Sequence, residues 1–232
     1  MALPALLLVV ALAVLAWVSW RDRTQFAAFR LYTASEDRQR FYRGWLFESL
    51  ALFVAGSLAA LGARVTLVSG PTSLVAPPGT ERVSVGTARE MLAACEAALP
   101  ADAAVFVAAV SDWRPDTVFG VKLKKGKDGP PSVQLVENPD ILATLAHAGP
   151  RRPRLVVGFA AETNDLEANA RAKLARKGCD WIVANDVSES AIMGGDENEV
   201  LLIDAKRAER WARASKDEVA RRLADRIAGA LA

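Results

Sequence analysis

From Gly62 to the carboxyl terminus, short β-branched runs alternate with alanine-rich stretches, and this alternation limits the fold more than any other feature. Strands are expected at Arg64–Ser69, Glu81–Val85, Ala104–Val110, Leu155–Ala160, Trp181–Ala184 and Val200–Asp204. Helices are expected at Thr87–Leu99, Ile141–His147, Asp165–Gly178 and Lys216–Ala230. Thr87 with Glu90 three residues later has the form of a capping box. Gly178 stands where a left-handed residue closes a helix. Several strand runs are apolar throughout, so both faces of their sheet must be covered. The pattern implies an α/β domain built on a doubly wound, mostly parallel sheet. The stretch Phe119–Val136, with Gly126, Gly129, Pro130 and Pro131, breaks the rhythm and reads as a hairpin or flap.

The first 61 residues differ. Ala2 to Trp20 is apolar except for Pro4 and Ser19, and a helix of about 19 residues nearly spans the hydrocarbon of a bilayer. Trp17 and Trp20 would sit at the membrane interface, with Arg21 and Arg23 just beyond. The expectation is an N-terminal hydrophobic helical segment, a membrane anchor over residues 2–20, with a secretory signal and a buried helix as the competing readings. A signal would want a basic region before the apolar run and small residues at a cleavage site, and neither is clear. Residues 21–43 carry six arginines against three acids, which places them on the cytosolic side. Trp45–Leu61 holds Glu48 as its one charge and reads as a helix packed on the sheet, since a second span would export everything after it. The expected division is residues 1–61, a membrane anchor plus that helix, and residues 62–232, a cytoplasmic α/β domain held at the inner membrane.

Charge excludes one class of function. The formal net charge is +2, and six arginines against four acids in residues 1–61 account for all of it. An electrically neutral main domain lacks the cation excess of a general nucleic-acid binder, so no nucleic-acid partner is expected. Cys95 and Cys179 are far apart with no Cys-x-x-Cys, which excludes a cysteine zinc site. His147 is the single histidine, which excludes a histidine metal cluster, and it reads as a surface residue. No protein-held metal site is expected.

Ligands of open α/β sheets bind beyond the carboxyl ends of the strands. Three expected strands end there in polar clusters: Ser111-Asp112, Glu162-Thr163-Asn164 and Asn185-Asp186. Each alone could cap the following helix, but three in succession favour a shared crevice. The background cation is arginine, with 21 Arg of the 29 basic residues, yet six of the eight lysines gather in two places. Lys122, Lys124, Lys125 and Lys127 form one group; Lys173 and Lys177, one helical turn apart, form the other. Solvated surface explains either group alone. Together, in a neutral domain, they suit a triphosphate, whose charge shifts during phosphoryl or nucleotidyl transfer. Neither Gly-x-Gly-x-x-Gly after a strand nor a Gly-x-x-x-x-Gly-Lys-Ser/Thr loop occurs, which counts against a nicotinamide-dependent oxidoreductase sharing this Rossmann-like layering.

Five ordered segments carry a resemblance: Ala108-Ala109-Val110-Ser111-Asp112-Trp113; Lys122-Leu123-Lys124-Lys125; Glu137-Asn138-Pro139-Asp140-Ile141; Val157-Gly158-Phe159-Ala160-Ala161-Glu162-Thr163; and Ala184-Asn185-Asp186-Val187. From about Gly62 onward the chain resembles phosphopantothenoylcysteine synthetase, the ligase half of the bacterial bifunctional coenzyme A biosynthesis flavoprotein. The resemblance implies a CTP-dependent phosphopantothenate–cysteine ligase that forms an acyl-cytidylate and passes the acyl group to cysteine. It implies Lys122 in catalysis and at the nucleotide. It also implies CTP contacts at Phe106, Val107, Ala108, Asp112, Asn138, Pro139, Asp140, Ile141, Phe159, Lys173 and Lys177, with Mg²⁺ bridging phosphate oxygens. Phosphopantothenate and cysteine are the implied substrates. A homodimer joined partly through the flap is implied as well, and a flavin-dependent decarboxylase on a separate chain is an implied partner activity. The family's amino-terminal Asn-x-Ser-Ser-Gly segment, which contacts phosphopantothenate, has no counterpart, because residues 1–61 contain no asparagine and no Ser-Ser-Gly. A nucleotide-binding module with impaired catalysis, from a truncated or fused homologue, therefore stands as the alternative.

Overall fold

The computed structural model describes residues 6–11, 49–108, 110–117, 132–162, 165–186 and 197–232, with backbone alone for 6–11, 186, 197 and 198. Ten strands are described: β1 (Leu6–Ala11), β2 (Arg64–Ser69), β3 (Thr80–Ser84), β4 (Ala103–Phe106), β5 (Trp113–Pro115), β6 (Leu135–Glu137), β7 (Leu155–Glu162), β8 (Trp181–Asp186), β9 (Glu197–Ile203) and β10 (Ala208–Ser215). The helices are α1 (residues 49–60), α2 (Ala88–Ala97), α3 (Ile141–Ala146), α4 (Leu166–Lys177) and α5 (Lys216–Leu231). Eight strands form one sheet in the order β10-β9-β8-β7-β4-β1-β2-β3. Six of them, β3-β2-β1-β4-β7-β8, run parallel, and β9 and β10 are added antiparallel. This is the doubly wound order, in which successive strands are added first to one side and then to the other, so that the strand order reverses between β1 and β4 while all six strands stay parallel.

Strand β1 corrects the reading of the amino terminus. Leu6–Ala11 was expected inside a membrane helix, yet it pairs with β2 on one side, Val9 opposite Leu67, and with β4 on the other, Val9 opposite Val105. Leu-Leu-Leu-Val-Val-Ala is apolar at every position, and such a run fits a strand buried on both faces as well as a slice of a helix. Among the described residues no helix is long and apolar enough to cross a membrane. The other residues of the expected anchor, 2–5 and 12–20, lie outside those described, as does the arginine-rich stretch 21–43.

The helices cover both faces. On one, α1 and α5 pack side by side, with Leu50, Val54 and Leu58 of α1 and Val219, Leu223 and Ile227 of α5 in one core with Val65, Val105, Val157 and Val183 of the sheet. The packing of α1 matches the helix expected at Trp45–Leu61. It ends at Gly62, whose φ of +89° suits a residue without a Cβ. Gly62 N–H donates to Ala59 O at 2.9 Å and Ala63 N–H to Leu58 O at 3.1 Å, the paired bonds of a Schellman closure. On the other face, Met91 and Cys95 of α2, Ile141 and Leu145 of α3 and Ala170 of α4 pack over Val68, Ala104, Val156 and Ile182.

Local signals act as their chemistry directs. Thr87 and Glu90 form the reciprocal capping box at α2, and Gly178 closes α4 at φ +68°. β10 has no counterpart among the expected strands. Its sequence Ala-Glu-Arg-Trp-Ala-Arg-Ala-Ser is largely polar, and Trp211 is its one fully buried side chain. Of the stretch Phe119–Val136 expected as a hairpin or flap, residues 119–131 lie outside those described. Its last two residues fall in β6, which pairs antiparallel with β5 just ahead of the stretch, Arg114 opposite Val136.

Candidate active site at the carboxyl edge of the sheet

The carboxyl ends of β4, β7 and β8 lie along one edge of the sheet, with Ser111 and Asp112 beyond β4, Glu162 as the last residue of β7 and Asn185-Asp186 as the last two of β8. Thr163 and Asn164 lie outside the described residues. Beyond β4 the chain passes through Val107 and Ala108 to Ser111 and Asp112, both exposed. Among the described residues the Asp112 carboxylate makes no hydrogen bond or ion pair. Beside it, Asn138 donates its backbone N–H to Asp112 O at 2.8 Å. At the end of β8, Asn185 is buried to 3% exposure, and its Oδ1 has no hydrogen-bond partner among the described residues. A buried, unsatisfied acceptor at a ligand-binding edge marks Asn185 as a further candidate. The Asn185-Asp186 pair after a strand was its sequence signal.

Helix α3 packs against β7 at a glycine. A Cβ at Gly158 would lie 2.8 Å from Leu142 Cδ2 and 2.9 Å from Ile182 Cδ1. That close seat brings Asp140, the N-cap of α3, within reach of α4. Asp140 Oδ1 accepts from Ala143 N–H at 3.0 Å, and its other oxygen forms an ion pair with Lys177 Nζ. One turn earlier on α4, Lys173 Nζ donates to Phe159 O at 2.7 Å. Lys173 and Lys177 therefore both turn toward β7 and the start of α3.

Both sites are electrostatically shifted. Burial alone would raise the Asp140 pKa, but hydrogen bonds from Lys177 and Ala143 N–H, with the charges of Lys177 and Arg176, hold it below the ordinary value of 3.8. For Lys173, burial first and then repulsion by Lys177 lower the pKa below 10.5, against the opposing pull of Glu162. The Asp140 shift has a definite sign. A depressed carboxyl stabilises the folded state above its unfolded pKa and loses that contribution as pH falls through the folded value. Urea midpoints measured from about pH 6 down to pH 2 should therefore fall more steeply for the native chain than for Asp140→Asn; equal slopes would show that the pair with Lys177 does not form.

The expected site residues fall into distinct environments. Phe106 and Ile141 belong to the core beneath α2, α3 and α4, while Val107 and Phe159 belong to the core beneath α1 and α5. Ala108, Asn138 and Pro139 are half-buried, and Asp112 and Asp140 are exposed. Lys122, with Lys124, Lys125 and Lys127, lies outside the described residues. His147 is exposed, shares a 2.8 Å hydrogen bond between Nδ1 and Ala143 O, and rests against Gly178, where a Cβ would meet the ring at 2.6 Å. Among the described residues no group of three His, Cys, Asp or Glu is placed to hold a metal ion. Arg114 was missed. Its signal was its place between Trp113 and Pro115, on the opposite face of a strand whose other side chains are exposed.

Comparison with known proteins follows the same lines. Residues 50–231 match the family model described as the DNA/pantothenate metabolism flavoprotein C-terminal domain. The coenzyme A biosynthesis bifunctional protein CoaBC of Vibrio parahaemolyticus is 47% identical over 152 residues, covering 64% of this chain and 38% of that protein. The chain spans less than half the length of the curated relatives it matches. The crystal structure of the C-terminal domain of a CoaBC protein superposes with a TM-score of 0.63 at 32% identity, over 78% of this chain and 81% of that one. A Cab2 mutant in complex with phosphopantothenate-cysteine shares the fold at a TM-score of 0.58 and 15% identity, over 78% of this chain and 79% of that one. The matched span takes in α1 from its second described residue, every strand after β1 and the carboxyl ends of β4, β7 and β8; the chain belongs to the DNA/pantothenate metabolism flavoprotein C-terminal domain family.

Proposed function

We propose that the domain is a phosphopantothenate–cysteine ligase of coenzyme A biosynthesis, using CTP. The observation that carries this reading is the turning of Lys173 and Lys177 onto the Phe159 carbonyl and Asp140, two residues after Asn138, whose backbone N–H bonds Asp112 O. In this reading the two ammonium groups suit the phosphates of a nucleotide and Asp112 suits its ribose or base. On the same reading the backbone at Phe106 to Ala108, at Phe159 and along Asn138 to Ile141 supplies the remaining CTP contacts, since the side chains of Phe106, Val107, Ile141 and Phe159 are buried in the two cores. Mg²⁺ enters in this reading with CTP, on phosphate oxygens, as part of the substrate.

The reaction takes two steps. A carboxylate oxygen of 4′-phosphopantothenate attacks the α-phosphorus of CTP, the bond to the bridging oxygen of pyrophosphate breaks, and an acyl-cytidylate forms. The amine of cysteine then attacks the acyl carbon, CMP leaves with the electron pair of the acyl–oxygen bond, and the amine proton passes to solvent. Lysine ammonium groups stabilise the charge that builds on the departing phosphates, and Lys122 is assigned the catalytic place among them. Exposed Trp113, Val133 and Leu135 on the hairpin support a homodimer through that face. The test is a coupled pyrophosphate-release assay with CTP, phosphopantothenate and cysteine. Turnover is expected in the native chain and its abolition in Lys122→Gln; equal turnover in both would overturn the mechanism. One observation favours a second reading, a module that binds CTP without completing the reaction: residues 1–61 hold no asparagine and no Ser-Ser-Gly. CTP binding by calorimetry without pyrophosphate release would establish it.

A further inference from the structure

Asn138 sits among the expected nucleotide contacts, yet its side chain is fully occupied within the protein. Its Nδ2 donates to Ser111 O at 2.8 Å and to Trp113 O at 3.3 Å, using both amide hydrogens. Its Oδ1 lies 3.5 Å from Arg114 Nη1, and the same guanidinium nitrogen donates to Glu137 O. With the Asn138 backbone N–H on Asp112 O, these bonds join residues 111–114 to residues 137–138. The strand register explains why Arg114 can do this. Trp113 and Pro115 face outward opposite Glu137 and Leu135, so Arg114 points to the inner side with Val136. Arg114 also fixes the amide orientation, because a guanidinium can only donate and must therefore face Oδ1.

We propose that Asn138 and Arg114 are positioning residues of the nucleotide site: they form a clasp that holds the Ser111–Trp113 turn and thereby sets the Asp112 carboxylate against the bound nucleotide. This rests on the nucleotide reading above and gives Asn138 a role distinct from ligand contact. The clasp spans the base of the hairpin and ends two residues before Asp140, so it also ties the turn to the start of α3.

A double-mutant cycle on CTP affinity, measured by calorimetry on the full chain, separates the roles. Asn138→Ala and Asp112→Ala are each expected to weaken CTP binding by about tenfold. If Asn138 acts through Asp112, the double variant is no weaker than the poorer single variant; a product of the two losses, about a hundredfold, would overturn the clasp. Arg114→Gln is the milder companion should Asn138→Ala fold poorly, and Arg114→Lys, which keeps a donor, should recover part of the lost affinity. A second measurement needs no ligand. Hydrogen exchange at the Asn138 amide, donated to Asp112 O, should speed up in Arg114→Gln relative to the native chain, and unchanged exchange would overturn the clasp. Failure of the native chain to bind CTP would instead overturn the nucleotide reading, while the exchange result would still decide whether the clasp exists.

Discussion

Replacing Lys173 with methionine should weaken CTP binding by about a hundredfold and leave the chain at least as stable as before. Both effects come from one placement. Lys173 is held in a part-buried position by the carbonyl of Phe159, with Lys177 one turn away, and burial and that neighbour both disfavour its charge. Methionine keeps the apolar stem and removes the desolvated ammonium, so the folded state loses a repulsion together with one hydrogen bond. A bound polyphosphate changes the balance, since charge-assisted hydrogen bonds in a sheltered site contribute about 1.5–3 kcal/mol each. Calorimetric titration with CTP reads the affinity and a urea midpoint reads the stability. Unchanged affinity with a lowered midpoint would make Lys173 a structural residue and remove the main support for the nucleotide reading.

Trp211→Ala should cost about 3–5 kcal/mol of folding stability, the range for emptying a large aromatic position in a core. Trp211 is 1% exposed although it lies on the outermost strand of the sheet. It reaches that burial because α5 crosses over it. Arg222 of α5 stands 4.4 Å from the ring centroid, and Glu209 of β10 accepts from Trp211 Nε1 at 3.0 Å, from Arg222 at 2.8 Å and from Arg226 at 3.1 Å. Removing the ring opens a cavity and withdraws the surface on which Arg222 lies. Trp211→Phe, which keeps most of the volume and loses the indole donor, should cost about a third as much. Urea denaturation followed by circular dichroism would check both. A loss under 1 kcal/mol in the alanine variant would show that β10 and α5 do not share a core.

What was legible in the sequence was whatever local chemistry decides. Thr87 with Glu90, Gly178 after Lys177, and the continuous apolar runs of β4 and β7 each specify their structure within a few residues. The cap and the closure form as expected, β7 runs two residues beyond the expected Ala160, and β4 ends at Phe106, short of the expected Val110. β10 was hidden because seven of its eight side chains are not fully buried, so neither strand period nor apolar run stands out; its pairing depends on β9 and α5, distant in the chain. β1 was misread for the opposite reason, since six consecutive apolar residues fit two structures and only their neighbours in space choose between them. At the site, the four-residue spacing of Lys173 and Lys177 predicted a shared helix face, and they share one. Their anchors were not legible, because the reach of Lys177 to Asp140 depends on how closely α3 settles over Gly158, a tertiary contact.

The central place of β1 bears on how the chain can be cut. Its two neighbours, β2 and β4, do not pair with each other, so a shortened protein begun at Leu50 would hold two part-sheets, β2-β3 and β4-β7-β8-β9-β10. Each would present a bare row of amide and carbonyl groups along an apolar strand, which is a template for cross-molecule pairing. Solubility would then depend on a six-residue peptide, and supplying Leu6–Ala11 in trans as a synthetic strand should restore a monodisperse preparation.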